Sequence, residues 1–291
     1  MNPLTFQFEY PRVLSIAGSD SSGGAGIQAD LKTIAALGCY GATAITALTA
    51  QNTLGVLSIH AIPPQMLTDQ IDAVVSDLGV DAVKIGMLHA PDIVLAVAAA
   101  IDRHSLKNVV LDPVMVATSG AVLIDHPAIA ALVRELFGRA MLVTPNLDEA
   151  ALLVARPLVS EQDMLGAAQQ LLEMGAQAVL LKGGHLPGDQ VSDLLLTPGE
   201  PPHWLRGQRI ASANTHGTGC TLSSAIAAQL ALGLDLRTAV HAARDYVRAA
   251  IAAGAVVRTG AGSGPLNHGF APQLMRLKRL DTGLISGLDS V

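Results

Sequence analysis

The sequence predicts an α/β fold in three layers, α/β/α, with helices on both faces of a mostly parallel central sheet. Three observations predict it. Short aliphatic runs alternate with segments of helical spacing along most of the 291 residues, the pattern of successive β-α-β units. Half of the residues are hydrophobic but only 3% are aromatic, which suits strands buried on both faces. Polar residues, with Met87 among them, collect at the carboxyl ends of the aliphatic runs: Gly18-Ser19-Asp20, Gln51-Asn52, Asp112, Asn146 and Lys182. Ligands of parallel sheets bind beyond that edge.

In chain order, Arg12–Gly18 reads as a short buried strand, followed by a Gly/Ser loop over Ser19–Gly26. Ile27–Leu37 carries apolar residues at helical spacing, and Gly38 closes that helix. Gly41–Ala50 is a Thr/Ile/Ala strand running into Gln51-Asn52. Thr68–Leu78 is helical, Ala82–Leu88 a strand, and Asp92–Ile101 a helix. Asn108–Val116 reads as a strand, with Thr118-Ser119-Gly120 in the loop after it. A helix over Ala128–Leu136 leads to a strand over Met141–Asn146 and a helix over Leu147–Val154. Ser160-Glu161-Gln162-Asp163 resembles a capping box opening a helix that runs to Met174. Ala178–Leu181 is a strand ending at Lys182-Gly183-Gly184-His185. Val191–Ile210 breaks the alternation: two apolar runs flank Thr197-Pro198-Gly199-Glu200-Pro201-Pro202, a hairpin pattern. Helices return over Cys220–Leu232 and Leu236–Ala253. No linker divides the chain, so one domain over residues 1–291 is expected, with an N-terminal extension (1–11) and a C-terminal tail (269–291).

Composition excludes several classes. A net charge of −6 argues against a dedicated nucleic-acid binder, which needs a basic face. The basic cluster Arg276-Leu277-Lys278-Arg279 reads as a solvated helix face in the tail. Two cysteines, Cys39 and Cys220, make no disulfide framework and fit a reducing, cytoplasmic setting. Met1–Tyr10 lacks the regions of a signal peptide. Gly217–Leu234 is the longest charge-free apolar stretch, but Gly, Thr, Ser and Gln interrupt it, so it reads as a buried helix and not a membrane span. His60, His185 and His216 lack metal-ligand spacing, so no zinc site is expected.

The most informative stretch is Asn214-Thr215-His216-Gly217-Thr218-Gly219-Cys220-Thr221-Leu222-Ser223-Ser224-Ala225. A turn of small residues enters an apolar helix there, and a helix N-terminus offers unpaired N–H donors to an anion. Gly217, Thr218, Gly219 and Cys220 are therefore expected to form an anion hole. A buried cysteine is ordinarily a small apolar residue, as Cys39 is expected to be. At a helix start the thiolate is favoured, so Cys220 is expected to ionise below the usual ~8.5. Elsewhere the local patterns are ambiguous. Gly18–Gly26 matches neither a Walker A loop nor G-x-G-x-x-G. Asp112 fits magnesium binding through water as well as an ordinary turn. Asn146 and Glu149 form a capping box by spacing, which does not exclude water-mediated magnesium. Lys182 before paired glycines fits either a nucleotide phosphate or solvent.

Taken together, seven ordered segments resemble the ribokinase superfamily, and within it the bacterial hydroxymethylpyrimidine/phosphomethylpyrimidine kinases of thiamine biosynthesis. They are Ala17–Thr33, Thr46–Thr53, Lys84–Leu88, Val110–Met115, Thr144–Ala150, Leu181–His185 and Asn214–Ala225. The resemblance implies a ribokinase-like fold and the ATP- and Mg²⁺-dependent phosphorylation of hydroxymethylpyrimidine, first to the monophosphate and then to the diphosphate. It implies Gly18, Asp30, Gln51 and Met87 around the pyrimidine, and Asp112, Asn146, Glu149, Lys182, Thr215 and His216 around ATP and magnesium. Asp112 and Glu149 would hold the metal through water, and Cys220 would be the catalytic base, where related sugar kinases carry aspartate. A cytoplasmic homodimer is the family expectation. Two departures stand out: Gly260-Ala261-Gly262-Ser263-Gly264-Pro265 lacks the histidines often found there, and the tail beyond Gly269 is extra. A pyridoxal kinase and a non-catalytic pyrimidine-binding protein are the alternatives.

Overall fold

In a computed structural model of the chain, residues 6–115, 124 and 126–280 are described. After a two-residue strand, β1 (Phe8–Glu9), the sheet strands are β2 (Arg12–Asp20), β3 (Tyr40–Asn52), β4 (Gly55–Ala61), β5 (Ala82–Ile85), β6 (Val109–Leu111), β7 (Leu142–Val143), β8 (Val179–Leu181), β9 (Gln190–Leu196) and β10 (His203–Gln208). They lie in the order β10-β9-β8-β7-β6-β5-β2-β3-β4. The pairs from β8 through β7, β6, β5 and β2 to β3 are parallel. The edges are antiparallel: β3–β4 on one side, and β8–β9–β10 on the other. The Thr197–Pro202 turn thus joins the expected hairpin. The sequence pattern does not predict β4, because its residues lack a buried face: Leu57 is 78% exposed.

Helices cover both faces. On one, α2 (Pro64–Asp77), α3 (Pro91–His104), α4 (His126–Leu136), α5 (Leu147–Leu153) and α6 (Glu161–Glu173) pack on Leu14, Ile16, Val83, Ile85, Leu111 and Val143. On the other, α1 (Gly26–Ala36), α7 (Thr218–Ala231) and α8 (Leu236–Gly254) pack on Val13, Ala82, Val110, Leu142 and Leu180. Successive strand residues point to opposite faces, so each strand feeds both cores. The three-layer expectation is met. Most of α7 is buried, which explains its nearly unbroken apolar sequence.

Several boundaries shift. The strands expected at Ala82–Leu88, Asn108–Val116 and Met141–Asn146 end early, at Ile85, Leu111 and Val143, and the described residues that follow each lie outside the strand at the ligand edge; Val116 lies outside the described residues. Helix α2 begins at Pro64, a turn before the expected Thr68, because proline suits the first helical position. At Ser160 the side chain accepts the Asp163 N–H, while the Asp163 carboxylate takes the Val159 N–H, so the reciprocal half of the box reaches one residue further back. Thr118-Ser119-Gly120 lie outside the described residues.

The tail corrects another expectation. Lys278–Arg279 form a strand, β11, antiparallel to β1, and not a helix face. Lys278 Nζ reaches Asp81 (2.5 Å), which also accepts from Arg12. Before it, the N–H groups of Gln273 and Arg276 donate to the carbonyls of Ala36, the last residue of α1, and of Gly38 just beyond it. Residues 8–9 and 273–280 are thereby tied together at one side of the sheet. No helix among the described residues is long and apolar enough to cross a membrane.

Candidate active site

A cavity of about 760 Å³ lies at the carboxyl ends of the parallel strands, roofed by the start of α7. The first helical turn of α7 is Thr218-Gly219-Cys220, so the helix begins two residues before the expected Cys220. Gly217 stands before it with φ +82°, and a Cβ there would lie 1.9 Å from the Gly24 carbonyl oxygen. Glycine alone lets this helix start press against the Gly-rich loop. The Thr218 N–H and hydroxyl both turn to the Thr215 carbonyl (3.2 and 2.7 Å). That leaves the Gly219 and Cys220 N–H groups with no protein partner among the described residues. A Cβ on Gly219 would lie 3.1 Å from Lys182 Nζ and 3.3 Å from Asp112 Oδ2. The amides, the ammonium and the carboxylate therefore meet at one point.

On that side of the cavity, Lys182 Nζ donates to Asp112 Oδ1 (2.7 Å) and lies 4.0 Å from Glu149 Oε2. Burial pulls the Lys182 ammonium towards neutrality, but the charges of Asp112 and Glu149 outweigh it and raise its pKa. Asp112 Oδ1 also accepts from Thr144 Oγ1 (3.1 Å). Asn146 and Glu149 form the complete capping box: the Glu149 N–H donates to Asn146 Oδ1 (2.9 Å), and the Asn146 N–H to Glu149 Oε2 (2.8 Å). Burial pushes the Glu149 carboxyl up to about 7, against the pull of Lys182. A buried carboxyl in that state gains from a cation beside it. Asp112 and Glu149 thus suit magnesium, which keeps most of its waters and takes one or two carboxylates plus phosphate oxygens.

Apolar residues Leu222, Val247 and Ile251, with Arg209, Arg244 and Arg248, line the same end. None of these beyond Leu222 stands out in the sequence, because they lie on helical or loop segments with no motif. Sequence reasoning misses Asp193 too. It accepts the Gly183 N–H (2.9 Å) and Arg244 Nε (2.8 Å), which ties the loop after Lys182 to β9 and α8.

The opposite end is lined by Gly18, Gln51, Met87 and His216. Gly18 is needed there: a Cβ would lie 2.6 Å from Met87 Cε. His216 Nε2 lies 2.9 Å from Asp20 Oδ2 and 3.3 Å from the Gln51 amide nitrogen. Burial pushes the Asp20 carboxyl up, but hydrogen bonds from His216, Ser22 and the Ala25 N–H outweigh it and bring its pKa down to about 2. That carboxylate only accepts, so His216 Nε2 carries the hydrogen and offers the Gln51 NH₂ no acceptor. The amide keeps a donor for a ligand. Sequence reasoning places Asp20 at the ligand edge, at the end of a strand, but assigns it no role.

Two expectations are corrected. Asp30 does not line the cavity. It is fully buried behind the wall, accepting from Ser15 Oγ (2.6 Å), Ser224 Oγ (2.6 Å) and Lys84 Nζ (2.9 Å to each carboxylate oxygen). Lys84, the partner no sequence signal assigned, is itself fully buried. The second correction concerns Cys220. It lines the cavity, but burial pushes its thiol up to about 11, against the opposing charge of Lys84 and a hydrogen bond from the Gly26 N–H. At the helix start, desolvation outweighs the favourable field that the sequence suggested. Cys39 is buried as expected, its Sγ 3.6 Å from the Ala228 carbonyl oxygen.

Comparison with known proteins supplies the identity. The phosphomethylpyrimidine kinase family matches residues 20–267. The chain is 51% identical over 256 residues to the hydroxymethylpyrimidine/phosphomethylpyrimidine kinase of Rhizobium meliloti, covering 88% of this chain and 96% of that one. It is 50% identical over 270 residues to the thiamine biosynthesis bifunctional protein ThiED of Geobacter sulfurreducens, covering 92% of this chain and 54% of that longer protein. Among solved structures, an ADP complex of Bacillus subtilis pyridoxal kinase superposes with a TM-score of 0.83 at 37% identity, covering 89% of this chain and 98% of that one. With the family matched across nearly the whole sheet and the cavity at its ligand edge, the chain is a kinase and belongs to the phosphomethylpyrimidine kinase family.

Proposed function

We propose that this protein, acting as one domain over residues 1–291, transfers the γ-phosphoryl group of ATP to 4-amino-5-hydroxymethyl-2-methylpyrimidine, and then to the resulting monophosphate, in thiamine biosynthesis. The observation that carries the reading is a single cavity with two chemically distinct ends and the open amides of Gly219 and Cys220 between them. Gln51, Gly18 and Met87 receive the pyrimidine, the Gln51 amide pairing with its aminopyrimidine edge. Asn146, Lys182 and Thr215 face the ATP tail; His216, which the resemblance puts with them, stands instead beside Gln51 and Asp20 at the pyrimidine end. Asp112 and Glu149 would hold magnesium through water, and the ion when bound would supply positive charge beside the phosphate oxygens. We place the protein in the cytoplasm as a homodimer.

Phosphoryl transfer needs in-line positioning and stabilisation of charge on the transferring group more than covalent help. The Gly219 and Cys220 amides receive that charge, as an oxyanion hole does. The first acceptor is a hydroxyl and must lose its proton; Cys220 takes it. The second acceptor is a phosphate oxygen, already ionised, and needs no base. Cys220→Ala is therefore expected to slow the first transfer by ~10²–10⁴-fold and to leave the second nearly unchanged in single-turnover assays with ATP and magnesium. Equal losses in both steps remove the base assignment.

A second reading, a pyridoxal kinase, is supported by the Bacillus subtilis likeness. Pyridoxal supplied as a competing acceptor in the same assay separates the two.

A further inference from the structure

The Asp30–Lys84 ion pair has no exposed surface on either side chain. A lysine with no exposed surface stands on β5 in a strand whose other residues are aliphatic. It shares its face of the sheet with Ala82, and Ser15 of β2 lies opposite it in register. The pair sits under the active site. Ser224, one helical turn after Cys220 on α7, donates to Asp30 Oδ1, so Asp30 is anchored to the helix that carries the sulfur. A Cβ on Gly86 would lie 2.8 Å from Lys84 Nζ, so the loop that leads to Met87 closes over the ammonium. Stability alone gives no account of such a pair, since apolar residues of similar volume commonly do as well.

We propose that Lys84, held in place by Asp30, is a positioning residue that acts as the counter-ion of the Cys220 thiolate. This rests on the reading of Cys220 as the base for the first transfer. The Cys220 thiol releases its proton to solvent in the open cavity, leaving S⁻ one helical turn before Ser224, which ties α7 to the Asp30–Lys84 pair. As the acceptor oxygen bonds to phosphorus and the bond from phosphorus to the ADP oxygen breaks, the hydroxyl proton passes to S⁻ and restores the thiol. Lys84 keeps its three protons throughout.

The charges around the sulfur support the assignment. Against burial, Lys84 of β5 is the first of the groups that draw the thiol down, and the Gly26 N–H at the start of α1 helps it. Asp30 of α1 and Asp112 after β6 push the thiol up. Lys182 after β8 also feels the sulfur's charge. Burial pulls Lys84 itself towards neutrality, but Asp30, Cys220 and Asp112 outweigh that and hold it charged above the usual lysine range.

Opposite signs provide the test. The rate of Cys220 alkylation by iodoacetamide, read by peptide mass spectrometry against pH, reports thiolate independently of catalysis. Asp30→Asn leaves the ammonium unopposed, and its alkylation limb is expected to move to lower pH than that of the unmodified protein. Adding Lys84→Met removes the charge without leaving a bare buried carboxylate. The limb is then expected to move to higher pH than in Asp30→Asn, and the alkylation rate at pH 8 to fall about tenfold for every pH unit that the limb travels. The pH profile of the first phosphoryl transfer should follow the same order, and that of the second should not move. Superimposable alkylation limbs in Asp30→Asn and Asp30→Asn/Lys84→Met overturn the proposal. Should the double variant fail to fold, an unmoved limb in Asp30→Asn against the unmodified protein does so. If alkylation responds as expected but Cys220→Ala slows both transfers equally, the counter-ion stands and the base reading fails.

Discussion

Gly217 shows how much one residue decides. Its left-handed backbone and the approach of the Gly24 carbonyl leave no room for a Cβ, and the contact is backbone against backbone. Gly217→Ala is expected to lose about 1–3 kcal/mol of stability and to misplace the Gly219 and Cys220 amides. Urea unfolding with a kcat measurement checks it; a variant with unchanged stability and turnover removes the close approach from the account. At this scale the sequence is informative about type and poor about environment. Gly217 and Cys220 are legible because small residues before a helix have a local meaning. Asp30 is misplaced by sequence reasoning because its partner Lys84 is 54 residues away, and no local pattern reports that pairing. The same gap hides the ionisation of Cys220: a helix start is written in the sequence, whereas desolvation is the sum of everything packed around the sulfur.

Elements place these residues. The segment before α7 is held by Asn214, whose Nδ2 donates to the carbonyls of Gly254 at the end of α8 (2.7 Å) and of Val257 (2.5 Å). Gly264 packs against its amide oxygen, where a Cβ would lie 2.0 Å away. The loop that departs from the family pattern therefore abuts both the start of the phosphate seat and, through Thr53, the β3–β4 turn: Thr53 Oγ1 accepts from the Ala261 and Gly262 N–H groups. Asn214→Ala takes the Nδ2 donor from the Val257 carbonyl and leaves the Gly254 carbonyl with the Val257 N–H alone, and is expected to cost about 1–3 kcal/mol in urea unfolding. Asn214→Asp should not rescue it, because a carboxylate cannot donate to a carbonyl; full rescue by aspartate removes the capping explanation.

At the scale of the whole molecule, a buried histidine contributes to the pH dependence of stability. His268 lies between α7 and α8: Thr221 gives its hydroxyl hydrogen to Gly217, so His268 Nε2 is the donor in their 3.0 Å contact, and Tyr246 donates to the His268 carbonyl. Burial lowers the His268 pKa to about 4 from its usual 6.5. The unfolded chain then takes up this proton first, so the contribution of His268 is present above pH 6.5 and is lost as pH falls towards 4. The loss amounts to about 3 kcal/mol. In urea unfolding from pH ~7 to ~4, a window set by those two values, His268→Gln should flatten this part of the profile, and parallel curves for the two proteins remove the assignment.

By itself the sequence determined the β-α alternation, the strands whose ends meet the ligand edge, the hairpin after β8 and the glycine-rich helix start. Each follows from spacing and residue type over a few neighbours. Tertiary structure decided the rest: the withdrawal of Asp30 to Lys84, the Asp20–His216 contact beside Gln51, the raised Cys220 thiol and the pairing of β11 with β1. All four depend on charge, desolvation or pairing between residues far apart in the chain, and those quantities exist only once the layers have packed.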